Sequence, residues 1–324
     1  MRTAIFLIAL LAANAAEGAE PLRLALPVAC ETGKTCWVQQ YPDRDPTSAV
    51  RDYACGAQTY DGHDGTDIRV LDTTSMVDVV AAAGGVVKAA RNTVADHLMR
   101  TPEDRKAVGN RECGNGAVID HGGGWETQYC HLRQGSVAVK PGDRVQAGTR
   151  LGLVGYSGMA AFPHVHLTVR QDGIVRDPFR VANDTTSCGA GGDMLWTEAA
   201  QGALQYRKAQ VLKVGFAPGT VDLRALETGT ATTAAIAGDW PGLVVYAWAI
   251  NLGSGDEISL NLEGPDGVMV QRAITLDRAK AQYLQFTGTK RPGSVWPKGE
   301  YRGTVEIRNG AELLLRQSLI QQLD

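Results

Sequence analysis

The chain has 324 residues, enough for two domains of ordinary size, and 44% of them are hydrophobic, so sizeable apolar cores are expected. The formal net charge is -3 and no run of lysine or arginine occurs. The basic field typical of nucleic-acid binding is therefore missing, and a globular protein without a nucleic-acid partner is predicted.

The first 20 residues, "MRTAIFLIALLAANAAEGAE", have the pattern of a secretion signal. Arg2 gives a short positive start, an apolar run follows, and small residues then suit a signal peptidase. A membrane anchor is the alternative, but the apolar run is well below the roughly 20 residues that span a bilayer. We expect residues 1–19 to be removed, and the mature protein to be exported to the periplasm or the outside, with no membrane span.

Six cysteines fit an exported protein, because an even number in an oxidising compartment favours up to three disulfides. A zinc-thiolate site is the rival interpretation. No two cysteines have the short spacing that structural zinc sites usually show, which disfavours it. The six are Cys30, Cys36, Cys55, Cys113, Cys130 and Cys188.

Residues 20–185 are glycine-rich, begin with a cysteine-rich lead-in, and contain all six histidines. The stretch "GNGAVIDHGGGWETQYCHL" predicts a strand over 117–120, a glycine turn at 122–124 and a return strand over 125–131. Helical patterns are scarce, and the best one, over 96–105, is interrupted by Pro102. The region is predicted to be an antiparallel β domain.

The small-residue segment 186–196 predicts a linker. Beyond it, residues 197–324 contain alternating or apolar runs separated by turn signals, and Asn309-Gly310 is a strong hairpin signal. We predict a β-sandwich of the immunoglobulin-like kind. Because it shows no cluster of titratable residues, it is expected to be a structural or binding module.

The segment "FPHVHLTVR" places His164 and His166 two residues apart in a predicted strand. Side chains at i and i+2 of a strand point to the same face about 7 Å apart, so both imidazoles can serve one site. Two separately hydrogen-bonded histidines are the alternative.

Upstream, "DGHDGTDIRV" places His63 and Asp67 in a glycine-containing loop that leads into a strand. Such a pair alone is more often turn-forming and solvated. Together with His166 it would supply two imidazole nitrogens and one carboxylate oxygen. Three ligands of this type, with a fourth position left to water, suit a catalytic zinc site better than a calcium or magnesium site.

The motifs "HDGTD", "YCHL" and "HVHL", in this order, resemble those of the lysostaphin-type, LytM-like zinc endopeptidases that cut bacterial peptidoglycan. The resemblance covers residues 60–179. It implies that His63, Asp67 and His166 bind zinc and that His131 and His164 are the catalytic pair. It also implies hydrolysis of peptide bonds in peptidoglycan stem peptides or cross-links.

Two features depart from the family pattern. Residues 88–111 form a longer and more charged connection than expected, which is predicted to shape or cover the cleft. Cys130 stands where a small residue is usual, and strand alternation predicts that it faces away from His131. If the hairpin pairs Asp120 with Gly123, Cys113 lies opposite Cys130, which predicts a disulfide between them. Pairing Asp120 with Trp125 shifts the register by two residues, which a bulge could absorb.

The remaining histidines are expected to be outside the site. His97 lies in the long connection and is predicted to be a solvated surface residue. His121 opens the glycine turn, where a structural role is predicted.

These observations predict an exported zinc endopeptidase that attacks peptide bonds of peptidoglycan with a metal-activated water. One alternative is a catalytically inactive LytM-like protein that binds the wall and activates other hydrolases. A secreted zinc protease of other peptides, or a wall-binding module with an incidental zinc site, are further alternatives. The C-terminal domain has a possible protein or wall partner that the sequence does not identify.

Overall fold

The computed structural model describes residues 22–182, 187–189, 191, 193–231 and 235–324. The predicted signal segment lies outside these ranges, as do positions 186, 190 and 192 of the predicted linker. The regular secondary structure of the described residues is mainly antiparallel β-strand, as predicted, with three short helices.

An antiparallel sheet forms the N-terminal unit. Its strands are β1 (Cys36–Gln40), β2 (Thr66–Val70), β4 (Gly85–Arg91), β5 (Asn115–Gly122), β6 (Trp125–Leu132), β7 (Arg144–Val145), β9 (His164–Gln171) and β10 (Ile174–Val175). The order across the sheet is β1-β2-β9-β6-β5-β4-β7, and β10 pairs with β9. A separate ribbon pairs β3 (Asp78–Val80) with β8 (Arg150–Leu153).

The central strand β9 gives the sheet two different faces. Val165, Leu167 and Val169 are buried in the core of the unit. The alternate residues, beginning with His164 and His166, point to the other face, because side chains alternate across a strand. Both faces of β9 are therefore buried, one among apolar residues and one among polar residues.

The hairpin of β5 and β6 forms as predicted, but its predicted register is wrong. Asp120 pairs with Glu126, not with Gly123 or Trp125. The glycines at 122, 123 and 124 all have positive φ, which lengthens the turn. Irregular pairing at both ends of β5 then shifts the partners.

The long connection also differs in detail from its prediction. Its first residues belong to β4, and α1 (Pro102–Val108) follows later. Pro102 begins this helix, since the missing N–H of proline costs nothing in the first turn. Thr101 and Asp104 complete the helix start by exchanging hydrogen bonds with each other's backbone.

Seven strands form a C-terminal β-sandwich. One sheet has the order β11 (Gln210–Ala217), β12 (Gly242–Leu252), β15 (Lys280–Lys290). The other has the order β14 (Gly267–Thr275), β13 (Asp256–Gly264), β16 (Gly299–Asn309), β17 (Glu312–Leu323). An apolar core fills the space between them, and the Asn309-Gly310 turn joins β16 to β17 as predicted.

Two short helices, α2 (Glu198–Ala203) and α3 (Leu223–Glu227), flank β11. Leu195 and Trp196, at the end of the predicted linker, are buried in the N-terminal core, and Leu204 after α2 joins them. This packing differs from an exposed linker, because the apolar side chains of "MLW" find partners in that core. The domain limits stay a prediction, and the packing favours a boundary after Leu204.

Within the described ranges, no helix is both long and apolar enough to cross a membrane.

Candidate metal centre and catalytic cleft

Neighbouring strands bring the first site residues together. Asp67 of β2 pairs directly with His166 of β9, and both side chains lie on the polar face of the sheet. His63 approaches from the loop that precedes β2, where its backbone N–H donates to the carbonyl of Tyr60. The H-x-H histidines occupy one face of a strand, as the sequence predicts.

Three ligand atoms from these residues form a compact triangle. His63 Nε2 lies 3.2 Å from Asp67 Oδ1 and 3.2 Å from His166 Nδ1, and His166 Nδ1 lies 2.9 Å from Asp67 Oδ1. All three residues are buried. Ligand atoms placed tetrahedrally about 2.1 Å from zinc are roughly 3.4 Å apart, so the triangle is close to the required size.

Hydrogen bonds on the far side of each ring fix which nitrogen faces the centre. His63 Nδ1 donates to the carbonyl oxygen of Tyr41 at 2.7 Å, which leaves Nε2 for the centre. His166 Nε2 lies 3.0 Å from Asp64 Oδ1 and 3.0 Å from Thr168 Oγ1, which leaves Nδ1. Partners of this kind orient metal-binding histidines in proteins.

The negative charge of Asp67 at the triangle favours binding of a cation. Burial opposes ionisation of Asp67, but the imidazoles of His63, His164 and His166 outweigh it and hold the pKa of Asp67 well below its usual range. Burial likewise opposes a charged His166, yet its hydrogen bonds to Asp64 and Asp67 raise its pKa to about 9. Two imidazole nitrogens and one carboxylate oxygen fit a zinc ion.

His131 and His164 lie beside the triangle, with ring centroids 4.6 Å apart. His131 Nδ1 donates to the carbonyl of Ser157 at 2.8 Å, and His164 Nδ1 donates to the carbonyl of Phe162 at 2.7 Å. In each neutral ring Nε2 is therefore the nitrogen with a free electron pair. Burial lowers the pKa of both rings, so both are neutral at pH 7.

His131 reaches the cleft through an unusual backbone conformation. Cys130 pairs with His166, so its side chain belongs to the cleft face, and alternation would send His131 to the opposite face. His131 instead has φ +64°, and both residues line the cleft. The predicted opposite orientation of Cys130 and His131 is therefore wrong. A left-handed backbone at a residue other than glycine costs of order 1 to 3 kcal/mol and is typical of functional sites.

Cys113 and Cys130 form the predicted disulfide, with 4.7 Å between Cα atoms. Cys113 lies before the start of β5 and is not paired with Cys130 between the two strands. The predicted disulfide is therefore confirmed, but the strand register from which it was predicted is wrong. The carbonyl of Cys113 also accepts the backbone N–H of His131 at 2.8 Å. The disulfide thus anchors the strained residue. Two further disulfides, Cys30–Cys36 and Cys55–Cys188, include the remaining cysteines.

The other two histidines lie apart from this centre. His97 is exposed and its Nε2 lies 2.8 Å from Asp104 Oδ1, as a surface residue. His121 bonds the Gly84 carbonyl and the Thr127 hydroxyl near the glycine turn, which agrees with a structural role.

Sequence reasoning missed several residues that shape the site. Asp64 directly follows His63 and holds His166, a signal visible in "HDGTD". The ring of Phe162 packs against His164 with centroids 4.4 Å apart, and the ring centroid of Tyr60 lies 4.5 Å from that of His63. Arg69 is fully buried two residues after Asp67. Nothing in local sequence distinguishes Arg69 from an exposed strand residue.

Asp67, His131, His164 and His166 line a cleft of about 670 Å³. Its floor is the polar face of β9 and β6, and its walls include Met99, Arg100 and Met159. Three buried ligand atoms with two neutral imidazoles beside them, at the bottom of such a cleft, suit hydrolysis assisted by a metal.

Residues 61–178 match the sequence profile of Peptidase family M23. Among similar curated proteins, the peptidoglycan DD-endopeptidase ShyA of Vibrio cholerae is 43% identical over 53 residues, or 16% of this chain and 12% of that protein. The peptidoglycan DD-endopeptidase ShyC of the same organism is 32% identical over 101 residues, or 31% and 21%. The matched part of this chain thus covers well under a third of the length of either relative.

Among solved structures, the catalytic domain of the prophage-encoded M23 protein EnpA from Enterococcus faecalis is 22% identical. That match covers 43% of this chain and 85% of that one, with a TM-score of 0.29.

Proposed function

We propose that this protein, whose residues 61–178 form a Peptidase family M23 domain, is an exported zinc-dependent endopeptidase that hydrolyses peptide bonds in peptidoglycan stem peptides or cross-links. The observation that carries the proposal is the triangle of His63 Nε2, Asp67 Oδ1 and His166 Nδ1 beside two neutral histidines. The similarity to peptidoglycan DD-endopeptidases supports the substrate class.

His63, Asp67 and His166 would hold the metal. Zinc held by these residues would supply Lewis-acid chemistry and would lower the pKa of water to about 7. Tyr41 and Asp64 keep the two ligand rings turned toward the centre, since each bonds the nitrogen that faces away from it. The carboxylate of Asp67 adds negative charge that favours a divalent cation.

His131 and His164 would move protons. Each donates Nδ1–H to a backbone carbonyl, so each can accept a proton at Nε2 without changing its orientation. The proton taken from water can then pass to the leaving amine. A ring that has become protonated can also hydrogen-bond the oxygen on which negative charge develops.

Export is supported by the disulfides and by the signal-like start of the sequence. Three disulfides are present among the described residues, and structural disulfides persist in oxidising compartments. A peptidoglycan substrate would require the same side of the membrane.

The test is digestion of purified peptidoglycan, with the new termini identified by mass spectrometry. We expect new peptide termini at a single kind of bond, loss of their formation on chelation, and recovery on adding zinc. An inactive regulator would release none, and a protease of other peptides would cut casein but not peptidoglycan. Either outcome contradicts the proposal.

A further inference from the structure

The C-terminal sandwich reaches the catalytic cleft. Gln282 of β15 and Glu227 of α3 line the same cavity as His164 and His166. Behind them, Trp37 of β1 lies in one apolar cluster with residues of β12 such as Trp248. The sandwich is therefore packed against the catalytic sheet next to the site.

Polar side chains connect the two units in a continuous series. Arg69 Nη1 donates to Gln39 Oε1 at 2.7 Å and to Gln282 Oε1 at 2.9 Å. Gln282 Nε2 donates to Glu227 Oε1 at 2.6 Å, and Arg100 donates to the other oxygen of Glu227. The series joins the sheet, the sandwich and the connection between β4 and β5.

Buried charges hold this series in place. Arg69 is fully buried, with its guanidinium carbon 5.0 Å from the ring centroid of Phe162 and 4.9 Å from that of Trp248. Glu227 is only 3% exposed. Removing a partner from a buried charge is costly, so both residues keep Gln282 in one position.

The series lies next to the proposed reacting centre. Arg69 pairs with His164 across β2 and β9, and the ring of Phe162 packs against that of His164. Gln282, bonded to Arg69, is therefore at the end of the cleft where β9 begins. Arg170 lines the opposite end, about 20 Å further along β9.

The chemistry of Gln282 suits a peptide group. Its amide has two N–H donors and an oxygen with two electron pairs. Its hydrogen bonds to described residues use one donor and one electron pair. The side chain is only partly buried and lines the cavity, so one donor and one acceptor remain for a ligand. A peptide unit offers the matching acceptor and donor, whereas Arg100 and Glu227 largely neutralise each other.

We propose that Gln282 is a specificity-determining residue, which binds a peptide group of the substrate on one side of the scissile bond. The sandwich is then part of the substrate-binding wall and not only an attached module. This inference rests on the proposed endopeptidase function.

The test measures kcat and KM on soluble cross-linked peptide dimers, purified from peptidoglycan after digestion of its glycan strands. Gln282→Ala and the volume-matched Gln282→Met remove the amide. Gln271→Ala, an exposed glutamine on the far sheet, is the control. Loss of one or two hydrogen bonds to substrate should raise KM about 10-fold in both Gln282 variants, with kcat and zinc content kept.

An unchanged KM in both variants overturns the inference, and so does a fall in kcat at constant KM, which would mean that Gln282 acts only through Arg69 and His164. If Gln282→Ala fails to fold, Gln282→Met still decides the question, because it preserves the packing volume while Arg69 keeps Gln39 and Glu227 keeps Arg100 as partners. A wild-type protein that cleaves no dimer refutes the proposed function instead, so the two failures are distinguishable.

Discussion

The catalytic sheet and the sandwich are both antiparallel, but their central strands use burial differently. In β12 of the sandwich, Val245 and Ala247 face the sandwich core, while Trp248 faces the N-terminal unit. Both faces of β12 are thus mostly apolar. In β9, one face is equally apolar, but the other buries His164, His166 and Thr168.

The difference extends to the charges. Around β9, burial and mutual contacts shift the pKa values of three histidines and Asp67 in both directions. In β12, burial raises the pKa of Tyr246 to about 12, which leaves it neutral at any ordinary pH. Burying polar groups is costly unless they are paired, and groups with strongly shifted pKa values cluster at functional sites. The polar face of β9 therefore suits chemistry, whereas β12 suits a supporting role.

The largest effect is expected at the metal. His166→Ala removes one of the three converging ligand atoms, so zinc affinity should fall by more than ~100-fold, since even supporting residues can cost that much. Metal analysis after dialysis should find little zinc, and activity should vanish. The exposed His97 serves as control, and His97→Ala should keep its zinc. Full zinc content in His166→Ala would refute the ligand assignment.

The next largest effect separates catalysis from metal binding. His131→Ala should retain zinc, because His131 is not part of the triangle, and should lose ~10²- to 10⁴-fold in kcat as an acid-base group is removed. Peptidoglycan turnover and zinc content are measured on the same preparation. Turnover near that of the wild type would exclude the proposed role of His131.

A smaller effect is expected from the disulfide beside His131. Replacing Cys113 and Cys130 together by Ser loosens the anchor of a strained residue, and we expect activity to fall roughly 10- to 100-fold with zinc retained. Replacing Cys55 and Cys188 by Ser removes a disulfide that does not adjoin His131, and should leave kcat per folded molecule unchanged. Equal losses of kcat in the two double variants would contradict a local role for Cys113–Cys130.

The smallest effect on chemistry is expected in the sandwich core. Leu260→Ala should lower the free energy of unfolding by about 2 to 5 kcal/mol, because the side chain is fully buried, while kcat per folded molecule stays constant. Leu167→Ala is the matched change in β9, next to His166. It should lower both stability and kcat, as measured by chemical denaturation and turnover. A constant kcat in Leu167→Ala would contradict a different functional role for β9 and for the sandwich core.

Much of this distinction was predictable from local patterns. The alternation in "HVHLTVR" predicts a strand with two imidazoles on one face, and the glycine turn predicts the hairpin that follows. The Cys113–Cys130 pair was also correctly predicted. The strand and the hairpin depend on neighbours in sequence, where strand and turn geometry decide the outcome, whereas the disulfide forms although the register predicted for it is wrong.

The rest depends on tertiary contacts that no local pattern reveals. The left-handed backbone of His131 reverses the alternation rule, and it persists because Cys113 and Ser157 hold the residue. The hairpin register shifts through irregular pairing. The buried Arg69 donates a hydrogen bond to Gln282, which is more than two hundred residues away in the chain.

The central claim is that the triangle on the polar face of β9 holds the zinc on which hydrolysis depends. The most direct measurement is a zinc titration of the metal-free protein, with bound zinc and peptidoglycan cleavage followed together. The account predicts that activity rises in proportion to bound zinc and reaches its plateau at about one zinc per chain. Full activity without zinc, or a fully loaded chain that cleaves no peptide bond, would contradict it.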